Sequence, residues 1–259
     1  SAANGFDTEN HNLAIGTDAL GGSVAGGEYN IAIGNASLDA LTSGDNNTVV
    51  GYNAGTAVTT AAKVTALGGF ACQSVTTGGS NIGIGYNANG GSNDETNNLG
   101  IGVDALTGSV NGGEYNIAIG NSSLDALTSG DQNVAMGYAA GGALNSGSNN
   151  VFIGNSAGIA QTTASNNVLI GGDAGAAITT GGSNVFIGYT AGDGHDTEGS
   201  NLGIGVSALG GAIAGGEFNV AVGNSSGEDL TSADHTAMVG YQAGANVTEG
   251  SGSTFMGYQ

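Results

Sequence analysis

A glycine returns at near-constant spacing along the whole sequence: Gly16, Gly34, Gly51, Gly68, Gly85, Gly102, Gly120, Gly137, Gly154, Gly171, Gly188, Gly205, Gly223, Gly240 and Gly257. The step is 17 residues, and 18 at Gly16–Gly34, Gly102–Gly120 and Gly205–Gly223. Units this short cannot bury a core alone, so they must stack, each on its neighbours. The fold class read from this is all-β, a parallel β-solenoid or β-roll of about fifteen 17-residue coils. Residues 1–259 are read as one repetitive domain.

With the glycine as position 0, three other positions are regular. Position −4 is Asn in twelve copies: Asn12, Asn30, Asn47, Asn81, Asn98, Asn116, Asn133, Asn150, Asn167, Asn184, Asn201 and Asn219; Val64, Thr236 and Ser253 are the exceptions. Position −1 is always Ile, Val, Leu or Met, and position +3 is always Ala or Ser. Segments such as Val185-Phe186-Ile187 are apolar and β-prone, and read as a short strand. Since −1 is constant while −2 ranges from Gly83 to Phe186, the −1 and −3 side chains are expected to face the packed side. A second, weaker strand is expected in stretches such as Ala57-Val58-Thr59-Thr60 and Ala177-Ile178-Thr179-Thr180. Turns fall at segments such as Thr180-Gly181-Gly182-Ser183, and no window has a sustained helical period. Stacking at about 4.8 Å per coil makes a rod on the order of 70 Å long. The Asn column is expected to form a buried or half-buried ladder, each amide bonding its neighbour and a turn backbone group. The small +3 column gives a route for close approach of another coil or chain.

Composition narrows the partners. The chain has one Lys, no Arg and 21 acids, for a net charge of −20. Nucleic acids and anionic membranes need basic patches and are excluded on that ground. No run of about 20 apolar residues is present to span a membrane. Cys72 is alone and forms no internal disulfide. The sequence opens Ser1-Ala2-Ala3 without Met and stops at Gln259 inside the fifteenth copy, which reads as a piece of a longer polypeptide. A longer repeat is superposed: Gly112-Gly113-Glu114-Tyr115-Asn116 echoes Gly26-Gly27-Glu28-Tyr29-Asn30, with a third version at Gly215-Gly216-Glu217-Phe218-Asn219, consistent with block duplication.

Motifs such as Asn30-Ile31-Ala32-Ile33-Gly34-Asn35-Ala36-Ser37-Leu38 and Asn184-Val185-Phe186-Ile187-Gly188-Tyr189-Thr190-Ala191-Gly192 resemble the head repeats of trimeric autotransporter adhesins, and equally the repeat regions of phage tail fibres. The resemblance covers nearly the whole chain. It implies a left-handed parallel β-roll, three chains packed around one axis, and attachment to surfaces. The expected function is that of a non-enzymatic fibre segment, the rod or receptor-contacting part of a phage tail fibre or bacterial surface adhesin. It would sit outside the cell, on a virion or cell surface, with itself as homotrimer partner and a host glycan or protein as receptor. The alternatives are a purely structural filament or matrix protein and, less well matched because its Thr rows are broken, an ice- or mineral-binding solenoid.

Few residues suggest chemistry. Gly83-Ile84-Gly85-Tyr86-Asn87-Ala88 mimics a dinucleotide fingerprint without the helix that motif requires. His11, His195 and His235 sit beside acids or in polar turns and read as solvated, and no catalytic site or organic cofactor is expected. Acids at position −6 (Glu28, Asp45, Glu114, Asp131, Glu217, Asp234) fall in adjacent-coil pairs. Stacked carboxylates repel unless hydrated or bridged, so these are the candidate Ca²⁺ ligands, with solvated turn acids as the plainer reading.

Overall fold

A computed structural model of the chain describes residues 11–211 and 215–258. Two compact units divide it, Ser1–Gln132 and Asn133–Gln259. Among the described residues the first holds seven strands, β1 (Leu13–Ile15), β2 (Ile31–Ile33), β3 (Thr48–Val50), β4 (Thr65–Leu67), β5 (Ile82–Ile84), β6 (Leu99–Ile101) and β7 (Ile117–Ile119). The second holds eight: β8 (Val134–Met136), β9 (Val151–Ile153), β10 (Val168–Ile170), β11 (Val185–Ile187), β12 (Leu202–Ile204), β13 (Val220–Val222), β14 (Ala237–Val239) and β15 (Thr254–Met256). Within each unit, consecutive strands pair in parallel with repeat register kept, as in Ile31↔Thr48 and Val168↔Val185. The protein is an all-β solenoid with a 17-residue coil.

Each coil has one strand of three residues, all of them at −3, −2 and −1. No second strand is present at Ala57–Thr60 or Ala177–Thr180, which are turn and bend. The backbone shows why. Val58 N–H bonds back to Gly55 O of its own coil (3.1 Å), and Ile178 N–H to Gly175 O (3.2 Å), so the donor that would continue a ladder points inward. Positions +2 and +4 both take left-handed φ, as in Ser122 (54°) and Leu124 (48°), which curls the chain out of extended geometry. Backbone bonds to the next coil continue through this turn: Leu38 N–H reaches Ala54 O at 3.2 Å and Thr42 N–H reaches Thr59 O at 2.8 Å.

The strand is also turned over relative to the expectation. The variable −2 residue is buried in nearly every coil, with Phe152, Phe186, Leu169 and Val49 fully enclosed. The constant −1 and −3 residues face out, half-buried to exposed. The small +3 column (Ala54, Ala105, Ala191 and Ser37 among others) is enclosed within its own chain, so it gives no route for another chain.

Variation at −2 is offset at +4, across the coil. Where −2 is small, +4 is a fully buried Leu: Ala32 goes with Leu38, Ala118 with Leu124, and Gly100 and Gly203 with Leu106 and Leu209. Where −2 is large, +4 is Gly: Val49 with Gly55, Phe152 with Gly158, Leu169 with Gly175, Phe186 with Gly192, Met238 with Gly244. A Cβ at Gly158 would come 2.8 Å from the Phe152 ring, and one at Gly175 2.8 Å from Leu169. One volume is thus filled from either side, as close packing requires. Ala135 with Gly141 and Ala221 with Gly227 lack a large partner within the coil; Met238 of the next coil fills the space at Gly227.

The central glycine has two reasons to be constant. Its φ lies between 124° and 147°, where a side chain is strained. A Cβ would also collide with the next coil, as at Gly102, 2.7 Å from Gly120 O.

Candidate functional site

Asparagine at −4 lies at the junction of the strand with the preceding turn. Asn30, Asn47, Asn81, Asn98 and Asn116 in the first unit, and Asn133, Asn150, Asn167, Asn184, Asn201 and Asn219 in the second, are buried; Asn12 is half-buried. Asn47 shows the full bonding set. Its Oδ1 accepts the Val64 N–H at 2.9 Å in the next coil. Its Nδ2 donates to Ala61 O at 2.9 Å, closing its own coil, and to Asn30 Oδ1 at 2.9 Å in the coil before. Asn150 repeats this with Asn167 N–H (2.9 Å), Ala164 O (2.9 Å) and Asn133 Oδ1 (3.0 Å). Neither oxygen nor amino group of such an amide is left without a partner, and no other side chain of this size offers both. Where the column is interrupted by Val64, Asn81 turns its second N–H to Gly78 O, three residues earlier in the chain (3.1 Å). Thr236 and Ser253 keep a hydroxyl bond to a nearby carbonyl, at Asp234 and Gly250.

The three aspartates among the −6 acids are backbone acceptors. Asp45 Oδ1 accepts the Glu28 N–H at 2.8 Å, Asp131 accepts that of Glu114 at 2.8 Å, and Asp234 that of Glu217 at 2.8 Å. The structure thus brings the pairs together coil to coil. Among the described residues, no three His, Cys, Asp or Glu side chains gather as a metal-holding group.

Two further acids, unnoticed in the sequence, have a clearer task. Glu95 and Glu198 are nearly enclosed at position +10, one coil before an 18-residue step. The extra residue pushes a glycine outward, Gly112 (φ 106°) and Gly215 (φ 101°). Glu95 Oε1 accepts the Gly112 N–H at 2.7 Å and Glu198 Oε1 that of Gly215 at 2.9 Å. Their other oxygens accept the N–H of Asn93 (2.8 Å) and of Asp196 (3.0 Å). Burial opposes ionisation of Glu198, yet these backbone N–H groups outweigh it and hold its carboxyl below the usual range. The spacing signal was available: a Glu 14 residues after an Asn, only before a long step.

His195 is not a solvated turn residue. It is fully enclosed at +7, its ring tilted by 56° against that of Phe186 with centroids 4.8 Å apart, and neither ring nitrogen has a partner. Desolvation lowers its pKa to about 4, against a smaller opposing pull from the Glu198 carboxylate. Gln161, two coils earlier in the same column, is likewise enclosed and unpartnered. The other occupants of that column, such as Leu41, Val58, Leu144 and Ile178, would have marked both as core positions. His11 and His235 are exposed and stack on Tyr29 and Phe218, at 4.9 and 5.1 Å. Cys72 is enclosed at +4, and burial pushes its thiol up to about 12, far from a reactive thiolate. On the outer turns, hydroxyl bonds from Thr76 and Thr77 hold Asp94 below the usual range, while partial burial raises Asp125 and Asp193.

What remains exposed in a regular way is the strand's outer face. Position −1 contributes Ile15, Leu67, Met136, Ile153, Ile204 and Val239, and position +1 contributes Tyr52, Tyr86, Tyr138, Tyr189 and Tyr241. The Gly83–Ala88 stretch lies on β5 and the turn after it, with no helix following. Comparison of the chain with protein-family models, with curated proteins and with solved structures finds no match.

Proposed function

We propose that this chain is a non-enzymatic segment of an extracellular fibre, built to hold length and to present surface, and that it works as an assembly of three copies. The observation that supports this reading is the stacking itself. Backbone groups, buried asparagines and turn acids are committed, coil after coil, to bonds with the next coil. A thin 17-residue coil buries little apolar volume for its surface, which favours association. The rod or receptor-contacting part of a tail fibre or adhesin fits these properties, with a glycan or protein on a host surface as ligand.

The test has two parts. Sedimentation should give a particle of three times 24.7 kDa. Labelled protein should bind host cells saturably, in competition with unlabelled protein. A stable folded monomer refutes the assembly, and absence of saturable binding on any surface tried favours a filament without a receptor.

A further inference from the structure

We propose that the outer face of the strands, positions −3, −1 and +1, is the surface through which copies of this chain associate. This rests on the reading of the chain as a self-assembling fibre segment and names the face involved.

The face is repeated and largely apolar: −1 is apolar in every copy, while +1 is Tyr or Val in eight copies and Asn, Thr or Gly in seven. Ile153 and Ile204 are 36% exposed, Met136 41%, and Tyr52 and Tyr138 57% and 63%. It is also uncharged. None of the residues at −3, −1 or +1 in any of the fifteen copies is Asp, Glu, Lys, Arg or His, although the chain carries 21 acids. The acids occupy turn positions such as −6, +2, +5 and +10.

That partition points to a second copy as the occupant. A basic partner would be drawn to the acidic turns, and an uncharged face would be of no use to it. A copy of this chain carries the same −20, so it can approach closely only where neither chain has charge. A row with one apolar step per coil is also matched along its length by a partner with the same step. The area is adequate when both units take part. The four residue steps from −3 to +1, at about 3.3 Å each, by one coil at about 4.8 Å present roughly 60 Å². The seven and eight strands together then offer on the order of 900 Å², near the ~800 Å² per partner of a specific interface. The small +3 column cannot serve instead, because its own coil encloses it.

The experiment compares masses in solution. The wild-type chain, Ile153→Glu/Ile204→Glu on the face, and Thr163→Glu/Ser232→Glu on exposed turns are run at equal concentration, with circular dichroism as a check of fold. The face variant should fall to the single-chain mass while the turn variant, with the same added charge, keeps the wild-type mass. A face variant that keeps the wild-type mass overturns the assignment of the face but leaves self-assembly intact. A wild type of single-chain mass at all concentrations overturns both. If the face variant unfolds, tyrosine fluorescence decides. Trp is absent and six of the eight tyrosines follow the central glycine, so emission reports this face. Acrylamide should quench assembled wild-type protein at least twofold less than protein diluted to single chains. Equal quenching in the two states refutes the proposal.

Discussion

Replacing Asn47 by Ala tests how much of the stability resides in the ladder. The change removes an acceptor from the Val64 N–H and a donor from the Ala61 carbonyl. Both backbone groups are enclosed, with Val64 at 0% and Ala61 at 1% exposure. Asn30 Oδ1 keeps its other bond, from the Asn47 N–H at 3.0 Å. Two orphaned buried groups at about 1–3 kcal/mol each put the cost near 4 kcal/mol. Asp45, two residues away, is the internal control. Its Oδ1 also accepts an N–H, that of Glu28, but in a half-exposed turn where water can replace it. Asp45→Ala should cost about 1 kcal/mol. Urea denaturation measures the two losses, and amide hydrogen exchange locates them. The Val64 amide should lose protection in Asn47→Ala and keep it in Asp45→Ala. Equal destabilisation by the two variants, or an unchanged Val64 amide, would refute the ladder argument.

His195 predicts an acid-sensitive second unit. Its folded pKa, about 4, lies below the unfolded value near 6.5, so its neutral form favours folding above pH 6.5 and that advantage is lost as pH falls toward 4, by about 3 kcal/mol in all. His195→Leu should therefore flatten the acid limb of a stability–pH curve against wild type. Phe152→Ala should cost about 3–5 kcal/mol, and adding Gly158→Leu, which copies the Ala118–Leu124 arrangement, should recover more than half of it in a thermal or urea melt. Cys72 should resist a thiol reagent at pH 8 in the folded protein and react within minutes once it is denatured.

The period, the strand at −3 to −1 and the placement of asparagine beside it could be read from the sequence because each is a property of a single column. Which side of the strand faces in could not. In Val185-Phe186-Ile187 both sides are apolar, so hydrophobicity does not separate them. Constancy at −1 then looks like packing and variety at −2 looks like tolerance. The variety is compensated six residues later, and only the fold sets Phe186 against Gly192 or Ala118 against Leu124. Constancy at −1 has its own reason in an outer face kept free of charge. The second strand was misread because Val58 and Ile178 have strand-like composition, while left-handed φ at +2 and +4 has no residue signature once Leu, Thr and Phe occupy those positions. His195 looked solvated because His195-Asp196 is polar locally; its environment is set by the fold, which lays the ring against Phe186, nine residues earlier.

Bonds between parallel strands run across the strands, along the direction in which coils pile up. Tension applied to the two ends of one unit therefore loads them in series. Such a chain yields by peeling, one coil at a time, and each coil released adds 17 residues of slack, roughly 60 Å at full extension against the ~4.8 Å it occupied. A single strand of this material lengthens in equal increments at modest force instead of snapping, and a force–extension trace from it should be a sawtooth whose teeth count the coils.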